Sequence, residues 1–269
     1  MVRMLPSESQ TLFAHTNATI SAASAFPETR WTLVISAGDK GDPGSRDALA
    51  ALCRSYWYPI YAFVRRKGHN ADTARDLTQE FFLQLLNRRF FERADPLKGR
   101  FRAFLMASLG YFLADQSDLV NAGKRGAGAE PLPFELDDGE SRYAKEPFHS
   151  ETPERIFERR WARATVDNVV NLLRDDFARH GRLDHFQLLK TYLMGQGDVP
   201  YADLAKKLNT TEGAMKAGIH RLRKRFRDAL RAEVAATVSD PSEVDEELRF
   251  LARALSGKSA APSDSGSPE

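Results

Sequence analysis

Apolar positions recur along most of this chain with a period close to 3.6 residues, the signature of helices with one buried face. In "RDALAALCRSYWYPIYAFVRRKG" the repeat runs through Leu49, Leu52, Tyr56, Ile60, Phe63 and Val64 and stops at Gly68. Pro59 lies inside that pattern, so a kink or a break into two helices is expected there. Asn70 then caps "NADTARDLTQEFFLQLLNRRFF", where Leu77, Phe81 and Leu85 join Phe82 and Leu86 in a wide apolar face. After "RADPLKG", a third helix places Phe101, Phe104, Leu105, Leu109, Phe112 and Leu113 on one side.

A second helical block opens near Pro153. Its first helix carries Ile156, Phe157, Trp161, Thr165, Val169, Leu172 and Leu173, and its next, "LDHFQLLKTYLMG", ends at Gly195. An eight-residue helix at Tyr201–Leu208 then meets the short turn "NTT" and a long helix capped by Thr210 or Thr211. Two helices joined so tightly must cross steeply, as in a helix-turn-helix. No stretch alternates with period two, so no sheet is expected. The predicted fold is all-α: two small helical domains joined by a flexible acidic linker, the C-terminal one a helix-turn-helix. The expected divisions are a flexible segment at 1–27, a helical domain at 28–120, a linker at 121–152, the second domain at 153–237, a short C-terminal helix at 238–255 and a disordered tail at 256–269.

Composition narrows the function. The 269 residues are 42% hydrophobic and 28% charged, an ordinary globular balance. The single cysteine, Cys53, rules out an internal disulfide and fits a reducing cytoplasm. No apolar run approaches a membrane span, and residues 1–27 are too broken in hydropathy for a signal peptide. Catalysis finds little footing and no cofactor is expected. His180 and His185 are five residues apart and share no helix face, so no metal site is expected. "GKRGAG" at 123–128 lacks the Lys-Ser/Thr of a phosphate loop and follows no strand. Cys53 sits in a helical pattern and is expected to pack rather than react.

Net charge is only +2, but its placement is uneven. Residues 201–233 hold nine bases and four acids, a local +5; residues 54–105 hold eleven bases and five acids, a local +6. Between them, 134–158 holds eight acids and three bases, a local −5, placed to compete for the basic faces. In the long helix Met215, Ile219, Leu222, Phe226 and Leu230 form a buried stripe, which leaves Lys216, His220, Arg221, Arg223, Lys224 and Arg227 on the remaining surface. Such a helix suits a DNA major groove, and Gly213, Ala214, Ala217 and Gly218 are small enough for close approach. "NRRFFERADPLKGRFRAF" interleaves cations with Phe90, Phe91, Phe101 and Phe104, the combination that grips single-stranded DNA, although most of these rings also fit a core. Asp76, Gln79 and Glu80 stand at i, i+3 and i+4 beside an apolar ridge, a pattern suited to a helix-on-helix protein interface.

Two of these stretches together resemble a known family. "YPIYAFVRRKGHNADTARDLTQEFFLQLL" is similar to the second conserved region of the extracytoplasmic-function sigma factors of bacterial RNA polymerase, and "YADLAKKLNTTEGAMKAGIHRLRKRFRDAL" to their fourth. The two blocks, in that order, cover most of residues 28–234. The resemblance implies a non-enzymatic cytoplasmic protein whose partners are core RNA polymerase and promoter DNA, with an anti-sigma factor or other regulator as a further possibility. It implies that Asp76, Gln79 and Glu80 face the polymerase clamp helices. Arg93, Lys98, Arg100, Phe101 and Arg102 would melt and read a minus-ten element. Thr211, Glu212, Gly213, Lys216, Ala217, His220, Arg221, Arg223 and Lys224 would read a minus-thirty-five element. Two departures stand out: a basic pair comes only at Lys124 and Arg125, and Gly218 replaces a base common in the family. Leu248, Leu251 and Leu255 in "VSDPSEVDEELRFLARAL" predict a short acidic amphipathic helix that docks on the protein itself or on a regulator. The rival reading is a helix-turn-helix regulator that acts without polymerase. It leaves the polar ridge and the basic-aromatic loop of the first block without a role.

Overall fold

Helices make up nearly all the regular structure in the computed structural model, which describes residues 45–85, 100–121, 139–145, 151–195, 197 and 199–257. In chain order they are α1 (Ser45–Arg66), α2 (Ala71–Leu85), α3 (Phe101–Asn121), α4 (Gly139–Tyr143), α5 (Pro153–Arg179), α6 (Leu183–Leu189), α7 (Tyr201–Lys207), α8 (Glu212–Ala235) and α9 (Val244–Ser256). Short 3-10 turns at Lys190–Tyr192 and Pro241–Glu243 follow α6 and precede α9. No strand forms among the described residues, where extended pairing is limited to a bridge between Arg100 and Val238. The fold is all-α.

α1 passes through Pro59 without a break, contrary to one of the two outcomes expected there. A proline inside a helix costs about 3 kcal/mol. Tyr56, Trp57, Tyr58, Ile60 and Tyr61 are all buried around it, and burying a large apolar side chain returns roughly 1.5–3 kcal/mol each. Gly68, at φ +101°, ends this segment in a conformation that disfavours any side chain. Asn70 is the cap of α2: its Oδ1 accepts the Thr73 N–H at 2.8 Å. Phe81 of α2 meets Phe112 of α3 with ring centroids 5.6 Å apart, and Tyr56 of α1 stands edge-on to Phe101 of α3 at 5.3 Å. The three helices therefore share one core.

α4 lies inside the segment expected to be a structureless linker, and it is packed rather than loose. A Cβ on Gly139 would come within 2.8 Å of the Trp57 ring, so only glycine lets the backbone lie this close to α1. Glu140 accepts from the Tyr61 hydroxyl at 2.6 Å and from Arg65 Nε and Nη2 at 2.9 and 2.8 Å. Tyr143 is buried beneath the Arg65 guanidinium, 4.8 Å from its ring centroid. Five residues suffice because the Glu140 carboxylate, the Tyr143 ring and the Arg142 guanidinium, 3.8 Å from the Tyr58 ring centroid, all engage α1. Residues 122–138 and 146–150 of that linker, the expected segment 1–27, and 258–269 of the expected tail 256–269 lie outside the described residues, while Ser256 ends α9 and Gly257 follows it in the left-handed conformation.

The chain divides into two compact units. One comprises the described residues of Glu28–Thr165 and Glu233–Glu269; the other has its described residues in Val166–Ala232. α5 and α8 contribute to both. In the first, Ile156, Phe157 and Trp161 of α5 are buried along with Leu251 of α9. The second buries Leu173 and Phe177 of α5, Phe186 and Leu189 of α6, Leu204 of α7, and Met215, Ile219, Leu222 and Phe226 of α8.

Candidate nucleic-acid interface

The connection from α7 to α8 is built from local hydrogen bonds. The Thr210 N–H donates to the Ala205 carbonyl at 2.9 Å, and Asn209 takes the left-handed conformation at φ +49° that asparagine tolerates. Thr211 is the cap: its Oγ1 accepts the Ala214 N–H at 3.1 Å. α8 then buries its expected stripe, with Leu230 half-buried at the end. Gly218 is also buried, so it is not one of the small residues that let a partner approach. It falls three residues after Met215 and four before Leu222, which puts it on the stripe. Thr211, Glu212, Gly213, Lys216, Ala217, His220 and Lys224 are exposed, and Arg221 is half-buried.

The cations of α8 separate into two groups. Lys216 pairs with Glu212 at 2.7 Å and Lys224 with Asp228 at 3.1 Å, each one turn away on the solvent side. The hydrogen bond to Glu212 raises the Lys216 pKa, so the ammonium stays charged. Arg223 and Arg225 turn back into their own unit. Arg223 donates from Nε to the Tyr192 carbonyl at 2.7 Å and from Nη2 to the Gly195 carbonyl, and Arg225 meets Asp176 of α5 at 2.7 Å. Burial works to raise the Asp176 pKa. The Arg225 hydrogen bond, with the charges of Arg225, His180 and Arg179, outweighs it and holds the carboxyl below its usual range.

In the other unit Asp76 is exposed on α2, while Gln79 and Glu80 are half-buried. Glu80 accepts from Gln116 Nε2 of α3 at 2.8 Å, so the ridge is fixed to the next helix at one end. Of the residues expected at a minus-ten element, Arg93 and Lys98 lie outside the described residues. Phe101 is fully buried in the core against Tyr56, out of reach of a base: at the first turn of α3 its ring points inward. Arg100 and Arg102 flank it on the surface side, and both are engaged. Arg100 reaches Glu246 at 2.6 Å and Glu247 at 3.3 Å. Arg102 holds Glu247 with Nε at 2.5 Å and Nη2 at 3.1 Å, and its guanidinium lies 3.5 Å over the Phe250 ring. The Phe101 N–H donates to the Thr237 carbonyl at 2.9 Å, tying the backbone to the same C-terminal segment.

The bond from Arg100 and the charges of nearby arginines lower the Glu246 pKa; the bond to Glu246 raises that of Arg100, so both ions are stabilised. Sequence reasoning placed Glu140 in the acidic linker and Glu246 and Glu247 in an acidic C-terminal helix, but named no arginine partner for any of them. The acidic run at 245–247 was visible as one face of an amphipathic helix, but not its partner 145 residues away in sequence.

Burial pushes the Cys53 thiol up to about 12, which keeps it protonated. Among the described residues no group of three or more His, Cys, Asp or Glu side chains is placed to hold a metal, and no helix is long and apolar enough to cross a membrane. Comparison with protein-family models, curated proteins and solved structures finds no match.

Proposed function

We propose that the protein is a sigma factor of the extracytoplasmic-function type, a cytoplasmic protein that directs core RNA polymerase to specific promoters. The observation that carries this reading is α8. The buried Met215, Ile219, Leu222 and Phe226 lie opposite exposed Lys216, His220 and Lys224, and the helix follows α7 through a capped turn of a few residues. α7 and α8 act as a helix-turn-helix whose second helix enters the major groove of a minus-thirty-five element, with Thr211, Glu212, Gly213 and Ala217 nearest the bases. The ridge of Asp76, Gln79 and Glu80 docks on the polymerase clamp. The start of α3, with the segment before it, engages the minus-ten element. The enzyme presents both DNA-contacting units to one promoter, so neither needs to bind tightly alone.

The decisive experiment is transcription in vitro from a library of promoter fragments with purified core polymerase. Addition of the protein should produce new, mapped start sites preceded by a shared pair of elements. Initiation identical with and without the protein rejects the reading.

A further inference from the structure

The two arginines at the start of α3 already have anions on them, supplied by the far end of the same chain. Resting on the proposed role of Arg100 and Arg102 in DNA contact, we propose that α9 is an intramolecular stand-in for nucleic acid. Glu246 and Glu247 occupy the anion positions of this site, and DNA must displace α9 to reach it.

Three observations support a displaceable occupant over a simple structural strap. A carboxylate presents the same pair of oxygens to a guanidinium fork as a phosphate does, and Glu247 takes Arg102 in that two-pronged way, at 2.5 and 3.1 Å. Glu247 is completely buried, while Arg100 and Arg102 keep 21% and 12% of their side-chain surface exposed, so what solvent access the cluster has is on the arginine side. The Arg102 guanidinium lies 3.5 Å from the Phe250 ring centroid, a cation–ring contact that a stacked base can replace, while the ring itself also meets Trp161 at 6.1 Å. The charges facing the pair from α9 and the turn before it include Glu243 beside Arg100, and Arg249 and Arg253 beside Glu246.

The test uses the full-length chain and a labelled deoxythymidine oligonucleotide, with binding followed by fluorescence anisotropy across a salt series. The Glu246→Gln, Glu247→Gln double variant should bind roughly tenfold tighter than the parent. Two freed phosphate contacts should steepen the logarithmic salt dependence by roughly 1.4. Adding Arg100→Ala and Arg102→Ala should abolish that gain. Because Glu247 is buried, its neutral replacement can lower folding stability; Glu246→Gln alone, at a side chain 58% exposed, keeps the fold and should give a smaller gain in the same direction. Unchanged affinity in Glu246→Gln and the double variant, or a gain that survives loss of both arginines, overturns the proposal. Polymerase plays no part in this measurement. A protein that starts transcription but shows no gain has lost only the masking idea, and one that shows the gain but never starts transcription has lost only the sigma reading.

Discussion

Arg223 shows how far a single residue can depart from what its helix suggests. By helical period it belongs with Lys216 and Lys224 on the basic surface of α8. Its guanidinium instead donates to the Tyr192 and Gly195 carbonyls. An arginine's reach explains this: five donors on a long stem can turn sideways to meet two backbone oxygens at once. Hydrogen bonds from a charged group contribute about 1.5–3 kcal/mol, so Arg223→Ala should lower unfolding free energy by about that amount in urea titrations. Its effect on the salt dependence of duplex binding should be small. Lys224→Ala should leave stability nearly intact and flatten the salt slope by roughly 0.9, the value of one lost phosphate contact. The reverse pattern would put Arg223 on the DNA and Lys224 off it. At this scale the sequence predicts which positions face inward well, because burial follows the period. It predicts side-chain partners badly, because they depend on where other segments lie.

Elements were legible where long periodic runs coincide with caps: Asn70 and Thr211 close the starts of α2 and α8 with the side-chain bonds their types allow. α4 was hidden. Its segment has the Gly, Pro and charge of a linker, and only contact with Trp57, Tyr61 and Arg65 makes a helix of it. Between elements, the tie from α5 to α8 through Asp176 and Arg225 makes a pH-dependent prediction. The Asp176 carboxyl has its folded pKa lowered below the unfolded value. Its contribution is therefore fully present above the unfolded pKa and is lost as pH falls through the folded one. Thermal melting followed down through the acid range should show the parent losing stability more steeply than Asp176→Asn, with the two curves converging at the acid end. Curves that stay parallel would mean that the pair adds nothing to folding.

At the scale of the whole molecule, a net charge of +2 conceals two basic regions, and the structure shows how part of that charge is neutralised within the chain. Arg65 is held by Glu140, and Arg100 and Arg102 by Glu246 and Glu247. Asp76 is different: it remains exposed on α2, on the ridge proposed to meet polymerase. Asp76→Lys should abolish copurification with core polymerase while leaving affinity for duplex DNA unchanged, since α8 belongs mainly to the other compact unit. Retained copurification would remove this ridge from the polymerase interface.

The helical class, the helix caps and the inward face of α8 follow from the chain's own order, because periodic burial and capping act over a few residues. The pairing of α9 with the start of α3 and the docking of α4 on α1 needed the folded molecule. Arg102 and Glu247 alone are 145 residues apart, and a carboxylate in one segment carries no local mark of the arginine it will meet.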